Sequence, residues 1–162
     1  MNYRIDEKQA FEMFGVSTVV NSDGDHPFID IPAFWTKCIS DGTVDRIRKA
    51  AGLGGNGQIH GILYNKGGGE FSYMIGYFVS QSGIPEGFER LSIPPQTYAI
   101  FSTGVYPDGQ SGIHELWKRI WAEWFPTCNY EPANGPELEI TYDRGNMYEM
   151  EVWIPVVKKA GA

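Results

Sequence analysis

Two glutamates stand in a segment that otherwise reads as a buried strand, Tyr148-Glu149-Met150-Glu151-Val152-Trp153-Ile154-Pro155-Val156. Side chains alternate along a strand, so Glu149, Glu151 and Trp153 share one face. Met150, Val152 and Ile154 share the other, the face expected in the core. A carboxylate held among aromatic rings is costly unless a positive or hydrogen-bonding group satisfies it. The chemistry this suits is recognition of a cation, with the strand as the floor of a site. Two other readings stay open: a half-exposed strand with solvated glutamates, or a structural ion pair with Arg4, Arg90 or Arg119.

Aromatic candidates accompany the carboxylates. Trp35 and Trp117 lie on helix stripes, where a Trp serves a core as readily as a ligand. Tyr64, Tyr77 and Tyr142 offer rings to line a cleft and hydroxyls to orient a ligand. Glu139, near Tyr142, is left undecided between a site and a surface strand position. Catalytic patterns are weaker. A carboxylate near Tyr and Trp can act as a general base on water, so a small-ester hydrolase is kept as an alternative. Ser102 and Ser111 lack a nucleophile elbow. His26, His60 and His114 show no metal-binding spacing. Cys128 has no evident base, and no metal, nucleotide or other cofactor is expected. Gly52-Leu53-Gly54-Gly55-Asn56-Gly57 follows no strand and lacks a phosphate-loop pattern, so it reads as a link.

The elements that would position these residues are written twice. Ile31, Phe34, Trp35, Cys38 and Ile39 form an amphipathic stripe, and Ile113, Leu116, Trp117, Ile120 and Trp121 repeat it 82 positions later. Asp30 and Ser111 are the expected N-caps, and Pro126 ends the second helix. The first helix breaks near Asp41-Gly42-Thr43 and resumes to about Ala51. A strand precedes each helix, Phe11 to Val20 and Tyr98 to Val105. A hairpin follows each, Gln58 to Val79 across Asn65-Lys66-Gly67-Gly68-Gly69, and Glu137 to Val156 across Asp143-Arg144-Gly145-Asn146. The expected fold is α+β: two pseudo-symmetric strand–helix–strand–strand repeats with antiparallel sheet and a cleft between them. They span about 9–80 and 94–157 of a single domain, 1–162.

The bulk numbers bound the function. With 162 residues, one domain can bury a real core. Five Trp and nine Tyr exceed what that core needs, which suits a ligand pocket. A formal charge of −7 without a basic stripe disfavours nucleic acid. Cys38 and Cys128 form no paired motif, and Cys38 reads as a small buried hydrophobe. Neither a signal peptide nor a membrane span is read from the chain, so a soluble, cytoplasmic protein is expected.

The duplicated unit, Ile31-Pro32-Ala33-Phe34-Trp35, Trp121-Ala122-Glu123-Trp124-Phe125-Pro126 and Glu151-Val152-Trp153-Ile154-Pro155-Val156 together resemble the GyrI-like, or AraC-type effector-binding, family of multidrug-recognition domains. The resemblance spans about Phe11 to Val157 and is nearest to stand-alone members found as integron-cassette proteins. It implies an aromatic cleft for lipophilic organic cations with a glutamate of the last strand at its base. Glu151 matches that glutamate best, with Glu149 on its face and Trp35, Tyr64 and Tyr77 as walls. Family domains usually sit behind a DNA-binding module, and none is read in this sequence. Drug sensing would then need a protein partner such as a DNA-binding regulator, or the protein sequesters its ligand. Relatives that hydrolyse esters or inhibit a topoisomerase supply the alternative functions.

Overall fold

A computed structural model of the chain describes residues 1–54, 57–107 and 112–161. Ser111, and Gly55 and Asn56 of the glycine-rich link, lie outside the described residues. In chain order the elements are β1 (Tyr3–Lys8), β2 (Phe11–Asn21), α1 (His26–Ser40), α2 (Thr43–Ala50), β3 (His60–Gly67), β4 (Glu70–Phe78), β5 (Glu89–Ile93) and β6 (Gln96–Tyr106). There follow α3 (Ile113–Arg119), which continues as a π-helical stretch Ile120–Trp124, then β7 (Tyr130–Pro132), β8 (Glu137–Asp143) and β9 (Tyr148–Lys158). The chain forms two compact units, Phe11–Ile93 and Met1–Ala10 with Pro94–Ala162.

The 11–93 unit is an antiparallel sheet in the order β3-β4-β2-β5. On its helix-facing side Phe14, Val20, Phe71, Tyr73 and Ile75 pack with Cys38 of α1 and with Val44 and Ile47 of α2. Cys38 is buried as its place on the stripe requires. The hairpin closes through Gly68 and Gly69, both at positive φ (64° and 80°), the pair of angles that a two-residue turn needs to follow strand twist.

Helix α1 starts at His26, four residues before the expected cap at Asp30, with Pro27 in its first turn. Proline is preorganised there because its missing N–H has no helical partner. Pro32 therefore lies inside the helix. Proline brings no N–H to bond the carbonyl of Phe28, four residues before it. The break after Ser40 falls where Gly42 takes a left-handed φ of 83° and α2 begins.

The second unit orders its strands β8-β9-β6-β1, again antiparallel, with β7 added to β9. Both units thus place the opening strand between the second hairpin strand and one further strand. That further strand, β5 or β1, was not legible as part of the repeat. Strand β1 reads Tyr-Arg-Ile-Asp-Glu-Lys, an alternation too polar to mark a core. Its apolar Tyr3 and Ile5 are partly exposed, as suits an edge.

Ala99, Phe101, Met150, Val152, Ile154 and Val156 form the sheet side of this unit's core, against Ile113, Leu116, Ile120, Trp124 and Phe125. Among the described residues no helix is long and apolar enough to cross a membrane.

Candidate functional site

Period-two alternation assigns the β8 and β9 side chains to two faces. Leu138 pairs with Trp153, Ile140 with Glu151 and Tyr142 with Glu149, so these six share one face. Glu139 pairs with Val152 and Thr141 with Met150, so these lie on the other, the side that packs on α3. Both faces are covered: Leu138 and Ile140 are buried, and so are Val152 and Met150.

Glu151 is buried on the first face and its carboxylate is fully engaged. Arg4 Nη1 donates to Oε2 at 2.7 Å, while Tyr142 Oη and Trp153 Nε1 donate to Oε1 at 2.8 and 3.0 Å. Burial pushes its pKa up, but the hydrogen bonds from Arg4, Trp153 and Tyr142 outweigh it and hold the carboxyl below the usual range. Tyr142 responds in the opposite sense: burial and its bond to Glu151 raise its phenol.

Glu149 is occupied as well. Ser102 Oγ donates to it at 2.6 Å, and Arg144 Nη2 lies 2.9 Å away. The rings beside these carboxylates already carry cations of the chain itself. Arg144 sits over Tyr142 at 4.7 Å and Lys8 over Trp153 at 4.9 Å. Of the three readings kept open for Glu151, the geometry matches the structural ion pair with Arg4.

The second face holds a different arrangement. Glu139 sits beside the Met150–Val156 side of the core, and the Trp117 indole of α3 donates a hydrogen bond to its carboxyl. Glu139 has no ion-pair partner among the described residues. Burial raises its pKa to about 7, and the Trp117 bond only partly opposes this. Strand β8 supplies the position, α3 supplies the donor, and Val152 and Met150 supply the low-polarity neighbourhood.

The other sequence-derived candidates divide in the same way. In the 11–93 unit Tyr77 pairs with Phe14 and packs, with Trp35, against the helix-facing core. Trp35 Nε1 donates to Tyr73 Oη at 2.8 Å. Tyr64 pairs with Ser72 and so lies on the face away from the helices. Of the seven candidates, Trp35, Tyr77 and Trp117 lie on helix-facing sides. Glu149, Glu151, Tyr142 and Tyr64 lie on the opposite sides. Among the described residues, no face of either unit unites the Glu149–Glu151 pair with an aromatic helix residue.

Sequence alone does not decide the place of Glu139. In Glu137-Leu138-Glu139-Ile140-Thr141-Tyr142 the apolar alternation marks Leu138, Ile140 and Tyr142 as the inward set, which consigns Glu139 to solvent. Both faces of β8 carry buried residues, Glu137 on one and Leu138 and Ile140 on the other, and Glu139 is itself partly buried, which defeats that inference. The usable signal was Trp117, a polar-tipped ring on a core stripe that needs a hydrogen-bond acceptor on the facing sheet. Among the described residues no group of His, Cys, Asp and Glu could hold a metal ion.

Comparison with known proteins fits the α+β, antiparallel arrangement. Residues 4–156 match the model of the integron-associated effector binding protein family, and the chain belongs to that family. It is 29% identical over 164 residues to the transcriptional regulator BrlR of Pseudomonas aeruginosa, covering 96% of this chain and 56% of that protein. The chain therefore spans just over half the length of this relative. Among solved structures, SAV2435 bound to tetraphenylphosphonium shares the fold, with a TM-score of 0.78 and 17% identity over 97% of this chain and 94% of that one. The integron cassette protein VCH_CASS2 from the mobile metagenome of Vibrio cholerae does so with a TM-score of 0.65 and 21% identity, over 96% and 95%.

Proposed function

We propose that the protein is a small-molecule binding module for amphipathic organic cations, with Glu139 as its charge anchor and Trp117 as the neighbouring ring. The observation that carries this reading is the Glu139 carboxyl, set beside an apolar core with the neutral Trp117 donor and, among the described residues, no counter-ion. A partly buried carboxyl in that state gains from an arriving positive charge, whereas Glu151 already has Arg4. Membership of an effector-binding family supports ligand binding, and tetraphenylphosphonium on a structural neighbour supports a lipophilic cation as the class. Breadth of ligand choice follows from the chemistry. Apolar and ring contacts tolerate many shapes, and a single carboxyl asks only for positive charge. Similarity to a transcriptional regulator supports a sensing role in gene control, with a DNA-binding regulator as the protein partner to be tested by co-purification.

The test is calorimetric titration with tetraphenylphosphonium and with neutral triphenylphosphine oxide, on the wild type, Glu139→Gln and Glu151→Gln. The cation should bind at least about tenfold more tightly than the neutral compound, and Glu139→Gln should remove that preference, a loss of about 1–3 kcal/mol for a charge-assisted contact. Equal affinity for both compounds overturns the charge anchor. Loss of the preference in Glu151→Gln alone moves the anchor to Glu151. Ester turnover that vanishes in Glu139→Gln while ligand affinity survives replaces binding by hydrolysis.

A further inference from the structure

We propose that Glu139 holds a proton while its site is empty, and that an organic cation enters by exchange, taking the carboxylate as the proton leaves to solvent. The inference rests on the cation-binding reading and adds how the site is gated. The carboxyl O–H bond breaks, its electron pair stays on oxygen, and the proton passes to water, so the site remains neutral overall before and after.

Geometry carries the argument. The side chain shares its face with Val152 and Met150 of β9, which bring no charge. From α3 it meets the Trp117 indole, a neutral donor. The ionisable residues of that helix, His114, Glu115, Lys118 and Arg119, are exposed on its outer side. On its own strand the same face presents Glu137, a second carboxyl, two residues away. None of these groups offers the positive charge that Arg4 gives Glu151 on the opposite face. An ionised carboxylate there, partly buried against these apolar side chains with the Trp117 indole as a neutral donor, would lack a counter-charge, whereas the protonated form is neutral. The raised pKa of about 7 agrees with this placement. A permanent cation changes the balance because it supplies the missing partner only to the ionised form.

Exchange makes the apparent affinity pH-dependent in one direction. Below the pKa of Glu139 each bound cation must expel one proton, and above it none. For a group titrating at about 7, affinity should be about tenfold weaker at pH 6 than at pH 8. Proton release should approach one per cation at pH 6, near half at pH 7, and close to none at pH 8.

The experiment is titration of the whole chain with tetraphenylphosphonium at these three pH values, each in two buffers of different ionisation enthalpy, which counts the protons released. Trp117→Phe keeps the ring but removes the donor that favours ionisation, so its pH midpoint should move upward. Glu139→Gln should bind with no pH dependence and no proton release. Should Glu139→Gln fail to fold, the Trp117→Phe shift alone decides. Binding of equal strength at pH 6 and pH 8 without proton release overturns exchange and leaves cation binding standing. Proton release that persists in Glu139→Gln also overturns it. If tetraphenylphosphonium does not bind at any pH, both the exchange and the function it rests on fall.

Discussion

Arg4 reaches across a whole strand to Glu151, with Nη1 2.7 Å from Oε2 and β6 lying between the strands that carry them. The pair fastens the N-terminal edge strand to the centre of the sheet. A ligand cation arriving at Glu151 would have to displace a guanidinium already in place.

Glu151→Gln should accordingly lower the melting temperature, with or without ligand. Losing charge-assisted hydrogen bonds to a buried carboxylate costs about 1–3 kcal/mol. The half-exposed Arg4 can return to water, which places the expected loss toward the lower end. The sign with pH follows from the depressed folded pKa. The pair's stabilisation is complete above the ordinary carboxylate range and disappears as pH falls through the folded value. Denaturant titration at neutral and acidic pH checks both points, and a variant as stable as wild type at pH 7 would contradict them.

Glu139→Gln should do the reverse in the absence of ligand. With a folded pKa of about 7 against an ordinary 4.5, the folded state binds more protons than the unfolded chain in that window. Stability contributed by the protonated carboxyl therefore falls as pH rises from 4.5 to about 7, and the cost is complete above it. The variant should melt higher than wild type at pH 8 and no differently at pH 5. A variant less stable than wild type at pH 8 would mean that Glu139 has a stabilising partner.

Gly61→Ala should damage the other Trp-bearing helix contact. A methyl group at position 61 would overlap Tyr73 Oη, the acceptor of the Trp35 hydrogen bond. The ring must move or the strand must shift, at a cost of about 1–3 kcal/mol. Thermal denaturation measures the loss, and a red shift in tryptophan emission reports the freed indole. An unchanged melting temperature would show that Tyr73 yields without strain.

His60 gives an acid limb of its own. It is buried, stacks on Tyr77 at 5.1 Å, and burial lowers its pKa to about 4. Between the ordinary 6.5 and about 4 the unfolded chain takes up a proton that the folded protein refuses. Stability should therefore drop as pH falls through that window. The midpoint of urea unfolding followed between about pH 7 and 4.5 tests this, and His60→Asn should flatten the curve relative to wild type.

Much of this architecture was legible along the chain because it depends on local periodicity. The stripe through Trp35 and its copy through Trp117 follow from spacing, although Ile39 and Trp121 at their ends are exposed, and the glycine turns follow from backbone angles only glycine adopts freely. The division of β9 into a Met150–Val152–Ile154 face and a Glu149–Glu151–Trp153 face is also a property of the strand itself. What alternation cannot say is which covered face does what. Tertiary packing put α3 on the Met150 side, brought Arg4 over Glu151 from 147 residues away, and set Trp117 on Glu139. These are long-range pairings, whose partners no local pattern names. Spacing along the chain is enough to put a carboxylate among aromatic rings in the final hairpin. Only the folded chain decided that Glu151 is neutralised by its own arginine while Glu139 is left with a neutral indole, because charge compensation depends on what the chain brings near in space.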